Sequence, residues 1–302
     1  MTAVAGGTGS AKLLRGLQSL PVDLTVIANV GDNIWIHRLY VCPDVDIAMY
    51  TLAGIANPKT GWGIKGDTFS TLSQISRIGG ETWFKLGDRD LATSALRTGM
   101  LRRGMTLTAV TDRLRKSFGV KCELLPATDQ NLETRIDTPL GDMHLQEFWV
   151  REKGEPEVTG VHYRGASRAS ITAEVRRALS GADRVVICPA NPITSIGPML
   201  AISGFAKELA GSDARVVALS PMVGEAPFSG PAGKLMKAAG RKADSVGIAS
   251  MYQKFVDCIV VASEDQAMKK RIEALGIECV TSETMMKSRE DERRLARELL
   301  KV

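Results

Sequence analysis

Short β-branched apolar runs recur along the chain at 22–28, 184–188, 215–220 and 258–262, each followed by a polar or Gly/Pro turn and, later, by apolar residues at helical spacing. Runs this short and this uniformly apolar suit strands covered on both faces, as in parallel sheets. The pattern predicts an α/β fold: a Rossmann-like, doubly wound, mostly parallel sheet. Between 28 and 184 the texture changes. Residues 67–78, 88–103 and 108–118 carry apolar positions at helical spacing, with Gly79-Gly80, Gly104 and Gly119 as stops, so three helices are expected. From 121 to 164 the spacing shifts towards alternation, as in Thr134-Arg135-Ile136-Asp137 and 144–150, and Pro139-Leu140-Gly141-Asp142 reads as a hairpin connection. Residues 65–166 are therefore expected to form an inserted helical and β lobe that covers the active site, with 1–64 and 167–302 as the nucleotide-binding core. The simpler alternative is that this stretch extends the core. Residues 288–300 read as a charged amphipathic helix, a solvated cover.

Three glycine-rich turns follow the apolar runs: Gly6-Gly7-Thr8-Gly9, Asn191-Pro192-Ile193-Thr194-Ser195-Ile196-Gly197 and Ser229-Gly230-Pro231-Ala232-Gly233-Lys234. A strand that feeds such a turn and then a helix start presents unpaired N–H groups and a positive dipole end, which suits phosphate. Three of them on neighbouring parallel strands would lie along one sheet edge, where open α/β folds place ligands. Gly6, Gly7, Thr8, Gly9 and Lys12 are thus candidate phosphate contacts, as are Asn191, Ser195, Gly197, Gly230, Gly233 and Lys234. The first turn is neither a Walker A loop nor a full dinucleotide fingerprint, and glycine needed only for its dihedrals is the competing reading.

Composition narrows the class. Lys+Arg 39 against Asp+Glu 34 gives a mild net charge of +5, with no basic tract interleaved with aromatics, which suits small anionic ligands and speaks against nucleic acid. The five cysteines show no Cys-x-x-Cys spacing and read as buried thiols in a reducing compartment. No apolar run approaches the roughly 18 residues of a membrane span, and the first strand starts too early for a signal peptide, so a cytoplasmic protein with no membrane partner is expected.

The carboxylates carry the candidate chemistry. Asp32 follows the second strand run, Asp44 and Asp46 bracket Val45, and Asp67 follows a glycine turn. Strand-end aspartates are good magnesium ligands where phosphate oxygens complete the octahedron, and Asp32 and Asp46 are the candidate metal ligands. Asp46 and then Asp67 are candidate catalytic bases, although Asp67 reads at least as well as a helix cap. Asp88 is expected to cap the helix that follows it, and Arg97, Arg102 and Arg103 read as its solvated face, or else as a grip on an anionic substrate. Trp35, Trp62 and Trp83 could wall a flat ring or fill a core. His37, His144 and His162 lack ligand spacing, and no nucleophile–histidine set suggests a covalent mechanism.

Taken together, Gly6-Gly7-Thr8-Gly9 with Lys12-Leu13-Leu14, the stretch 29–35, Pro43-Asp44-Val45-Asp46, Trp62-Gly63 with Gly66-Asp67-Thr68-Phe69, Lys85-Leu86-Gly87-Asp88-Arg89-Asp90, 191–198 and 229–236 resemble the 2-phospho-L-lactate transferase family of coenzyme F420 biosynthesis. The resemblance implies that the deazaflavin Fo attacks lactyl-2-diphospho-5′-guanosine through its ribityl terminal hydroxyl, giving coenzyme F420-0 and GMP with magnesium required. It also implies that Asp46 and Lys85 hold Fo, that the glycine turns hold the guanosine diphosphate portion, and that the enzyme is a homodimer. Related enzymes transfer enolpyruvyl or 3-phosphoglyceryl groups instead, and no residue decides among them. The sequence departs from the pattern at Asp32-Asn33, where the family often has two adjacent acids, and at Ser10-Ala11, where Thr-Pro is frequent.

Two other classes compete. Regulators of the gluconeogenesis-factor type, which bind nucleotide sugars without catalysis, open on a similar turn, but they typically carry Asp-Asp-Gly-Gly-Ser-Ser-Gly where this chain reads Asn29-Val30-Gly31-Asp32-Asn33. A nicotinamide-dependent dehydrogenase would need an acid ending the second strand, whereas Asp23 precedes it.

Overall fold

A computed structural model describes residues 1–227 and 230–302. Its centre is a seven-stranded, wholly parallel sheet built from β1 (Thr2–Ala5), β2 (Thr25–Ala28), β5 (Glu123–Pro126), β9 (Arg184–Ile187), β10 (Arg215–Leu219), β13 (Cys258–Ala262) and β14 (Glu278–Ser282). The spatial order is β14-β13-β10-β9-β1-β2-β5. Every residue of β1 and of β13 is buried, which requires cover on both faces. The α/β class read from the apolar runs is the fold observed.

The strand order reverses between β1 and β9. The chain leaves β1 for β2 and β5 on one side, then returns to β9 on the other. Connections from those two strands diverge and leave a crevice at their carboxyl ends. Helix α1 (Gly7–Gln18) follows β1 and is packed between α2 (Pro43–Leu52) and the C-terminal α12 (Arg289–Leu299). Gly16 makes that last contact possible, since a Cβ there would lie 2.2 Å from the Glu292 carbonyl oxygen. Ser288 caps α12 in a capping box with Asp291.

Between β2 and β9 lie a hairpin, β3 (Ile34–Ile36) with β4 (Leu39–Val41), the helices α3 (Ser70–Arg77), α4 (Asp88–Arg102) and α5 (Leu107–Ser117), and an antiparallel sheet. That sheet has the order β7-β6-β8, from β6 (Glu133–Thr138), β7 (Gly141–His144) and β8 (Gly160–Arg164). The three helices fall where apolar spacing places them, and Pro139-Leu140 turns β6 into β7. Two expectations change. Residues 144–150 do not continue as a strand, because β7 ends at His144 and 147–151 form one wide helical turn. And 65–166 contains β5, which pairs with β2 in the main sheet, so this stretch supplies an edge of the core as well as the material above it. The remaining elements are α6 (Ala173–Ser180), α7 (Gly197–Ala201), α8 (Phe205–Gly211), a short ribbon of β11 (Met222–Val223) and β12 (Ala226–Pro227), then α9 (Ala232–Ala238), α10 (Ser245–Tyr252) and α11 (Lys269–Glu273). No helix among the described residues is long and apolar enough to cross a membrane.

Candidate functional site

The crevice opens into a cavity of about 550 Å³. Its floor is the Gly6–Gly9 turn after β1 and Asn191, Thr194 and Ser195 after β9. Gly230 adds the third turn, while Ser229 lies outside the described residues. The two main turns are pressed together. A Cβ on Gly6 would stand 2.6 Å from Ser195 Cβ and 3.0 Å from Asp44 Oδ2, and one on Gly9 would stand 2.3 Å from the Pro189 carbonyl oxygen. Those positions tolerate only glycine, and the first-turn amides of α1 are left beside the cavity. Asn191 fixes the second turn by accepting from the N–H groups of Ile193 and Thr194.

Not every residue of the turns reaches the cavity. Lys12 points away, because one turn into α1 its side chain faces the C-terminal segment, where Nζ donates to the Met286 carbonyl at 2.7 Å. Lys234 donates to the carbonyls of Gly154 (2.8 Å), Glu155 (3.2 Å) and Pro156 (2.5 Å). Both lysines are therefore corrected as phosphate contacts. Gly197 is buried beneath Tyr163, whose hydroxyl would lie 2.1 Å from a Cβ there, and Gly233 is likewise off the wall, so both are structural.

The acids divide in a way that their spacing explains. Two positions apart on a helix are rotated by about 200°, so Asp44 and Asp46 leave the first turn of α2 in opposite directions. Asp44 turns to the floor. There Asn29 Nδ2 donates to Asp44 Oδ2 and to Asp32 Oδ1, both at 2.9 Å, and lies 3.2 Å from the Thr194 carbonyl. Gln146 Nε2 approaches Asp32 Oδ2 from above at 3.4 Å. Burial pushes Asp44 up to about 6, opposed by Asn29 and the Gly7 amide. Asp32 is raised well above the carboxylate range by burial and by the charge of Asp44.

Asp46 turns instead to α4, where its Oδ1 is ion-paired to Arg97. Arg97 is completely buried, so the expectation of a solvated face fails for it, through its contacts with Tyr40 of β4 and Asp46 of α2, and holds for the exposed Arg102 and Arg103. The other oxygen, Asp46 Oδ2, is buried and has no hydrogen-bond partner among the described residues. Asp46 is raised by burial, with Arg97 opposing. Asp90, which accepts from the Tyr50 hydroxyl at 2.8 Å, is pushed up to about 7 by burial and then by Asp46. Hard oxygen donors in close pairs suit magnesium. The pair that fits is Asp32 with Asp44, which share the Asn29 amide and have no cationic partner among the described residues; Asp46, ion-paired to Arg97, is corrected as a metal ligand.

Asp67 is off the cavity. Its oxygens accept from the N–H groups of Arg89 and Asp90 at the start of α4, which makes it a cap and removes it as a base. Asp88 is a cap too, but of α3 rather than its own helix, accepting from Ser70 and Thr71 N–H. Each acid thus caps the helix that begins beside the other. The wall also carries Trp62, Trp83, Phe84, Lys85 and Trp149. Trp83 is backed by the Arg151 guanidinium, 4.6 Å from its ring centre. Trp35 instead packs on Tyr40 outside the cavity. Sequence reasoning missed Asn29, Gln146 and Trp149: an isolated amide or tryptophan carries no spacing signal, and 144–150 looked like a strand. On the β6–β8 sheet, Asp137, Asp142 and His162 cluster at the surface, away from the cavity, with Arg135 and Arg164 paired to Asp142.

Amide-lined turns at the reversal point of a parallel sheet, facing paired acids and an aromatic wall, define an α/β enzyme whose site lies in the crevice between two diverging crossovers. A family model described as "2-phospho-L-lactate transferase CofD" matches residues 1–301, and the chain belongs to that family. Relatives named 2-phospho-L-lactate transferase include those of Methanosarcina mazei, 41% identical over 98% of both chains, and Methanocaldococcus jannaschii, 39% identical over 99% of this chain and 97% of the relative. The protein is accordingly a transferase. Among solved structures, a UPF0052 family member from Bacillus halodurans superimposes over 99% of both chains with a TM-score of 0.67 at 18% identity, a likeness of fold.

Proposed function

We propose that this chain transfers the phospholactyl group of lactyl-2-diphospho-5′-guanosine to the deazaflavin Fo, forming coenzyme F420-0 and releasing GMP. The observation that carries this reading is the convergence of the turns after β1 and β9, and of Gly230, on one cavity that also holds Asp32 and Asp44. The relatives' name points to the same substrate class. In the reaction the ribityl hydroxyl oxygen bonds to the phosphorus that bears lactate. The bond from that phosphorus to the bridging oxygen breaks, and its electron pair leaves on GMP.

Such a transfer asks for positioning and charge neutralisation more than for a covalent partner. The amides of Gly6, Gly7, Thr8 and Gly9 and the Asn191–Ser195 turn would receive the diphosphate. Trp62, Trp83 and Trp149 offer faces to the flat deazaflavin, and Lys85 a cation beside it. Asp46 Oδ2, without a donor among the described residues, would accept the hydroxyl proton, with Arg97 opposing the effect of burial on the carboxylate. Magnesium, when bound, would neutralise diphosphate oxygens, with Asp32 and Asp44 as its protein ligands. A homodimer belongs to the same reading.

The test is direct. Purified protein with Fo, lactyl-2-diphospho-5′-guanosine and magnesium should release GMP in step with F420-0, and the enolpyruvyl and 3-phosphoglyceryl donors should be turned over more slowly. Protein that binds a nucleotide sugar but neither binds Fo nor releases GMP would overturn the proposal in favour of a regulator.

A further inference from the structure

Among the described residues, the cavity wall carries two lysines, Lys85 and Lys153, no arginine, and four buried acids, Asp32, Asp44, Asp46 and Asp90. Lys153 follows the helical turn 147–151 and sits in the left-handed region, φ 55°, a conformation that costs a non-glycine residue on the order of 1 kcal/mol. Something must hold it there. The next three residues, Gly154, Glu155 and Pro156, give their carbonyls to the Lys234 ammonium, which uses all three of its donors on them and lies 5.5 Å from the centre of the Phe148 ring. The same clamp reaches Trp149, because Gly154 lies against its ring: a Cβ there would stand 2.9 Å from Trp149 Cε3 and Cζ3.

Lys234 also fixes where this happens. It lies on α9, whose start follows directly from Gly230 and Pro231 on the cavity wall. Segment 149–153 is thereby tied to the side of the cavity occupied by the third glycine turn. We propose that Lys153 is the cation that meets the diphosphate of the donor, and that Lys234 is a positioning residue that holds Lys153 and Trp149 over the cavity. The inference rests on the proposed donor being a guanosine diphosphate ester. Lysine as a point charge suits a phosphate oxygen, and Lys153 brings to the wall a positive charge that its four acids lack.

The experiment uses the intact chain and guanosine diphosphate as probe, followed by calorimetry, with steady-state GMP release alongside. Lys153→Met should weaken binding of the probe about tenfold, the scale of one charge-assisted contact, and Lys153→Arg should recover most of it. Lys234→Met should raise the donor KM more than it lowers kcat, and should add nothing to the loss of guanosine diphosphate affinity in the Lys153→Met background, because it reaches the diphosphate through that side chain. Unchanged affinity in Lys153→Met overturns the assignment while leaving the transfer reaction standing. Multiplicative effects in the double variant overturn the positioning role of Lys234. A parent protein that binds no guanosine diphosphate sinks the donor reading and this inference together, whereas parent GMP release with an unaffected Lys153→Met sinks the inference alone.

Discussion

At the scale of single residues, the ion pair between Asp46 and Arg97 changes what a substitution means. From the sequence, Asp46→Asn would be expected to cost turnover and little else. The structure buries Arg97 completely, so removing the carboxylate charge leaves a guanidinium uncompensated in the interior. Breaking such a pair from one side costs about 3–5 kcal/mol. Asp46→Asn should therefore lower both GMP release and the thermal midpoint. Asp46→Asn combined with Arg97→Met should regain much of the midpoint and none of the turnover. A single variant that is inactive yet melts with the parent would show that Arg97 does not need its partner. The neighbouring acid behaves differently. Asp44 has Asn29 and the Gly7 amide rather than a cation, and Asp44→Asn removes a charge that the fold does not neutralise. That variant should melt no lower than the parent while losing magnesium-dependent turnover, measured by a metal titration of GMP release.

At the scale of elements, the legible part of the sequence was what period and turn chemistry encode. The runs that became β9, β10 and β13 are apolar throughout because both faces are covered, and the stops at Gly104 and Gly119 fall just past α4 and α5. What period could not encode was direction. Lys12, Lys234 and Arg97 all sit at positions from which a basic side chain can serve an anion, yet which way each leaves its helix depends on neighbours distant in sequence: Met286, the 154–156 carbonyls and Asp46. Asp44 and Asp46 show the converse, since their two-residue offset was enough to send them apart. β5 escaped notice because its four residues open on Glu123 and close on Pro126, and an edge strand needs little more. The crossed caps of α3 and α4 yield a prediction at this scale. Asp67→Ala should cost about 1 kcal/mol of stability through α4, with kcat close to that of the parent. A collapse of kcat at an unchanged KM would return Asp67 to the chemistry.

At the scale of the whole molecule, the buried acids set the response to pH. Asp32, Asp44, Asp46 and Asp90 are all raised by burial, so the folded state holds protons that the unfolded chain has already released. Their contribution is present at low pH and is lost as pH rises through the folded values, about 6 for Asp44 and about 7 for Asp90. Surface acids such as Asp142, lowered by Arg135, act in the opposite sense and weaken the fold only as pH falls below the ordinary carboxylate range. Metal-free protein should accordingly lose thermal stability between about pH 4 and pH 7, and magnesium should flatten that slope. A flat profile without metal would mean that the cavity acids are solvated in solution. One amide concentrates this tension. The Nδ2 group of Asn29 has two hydrogens to offer and faces three oxygens, on Asp32, Asp44 and Thr194. One of the three oxygens goes without that amide, and a divalent cation among them would make up the shortfall and so favour the anion that follows it. A divalent ion and a nucleotide arriving there should each tighten the other's hold by the same factor, a reciprocity that would make order of addition irrelevant at equilibrium.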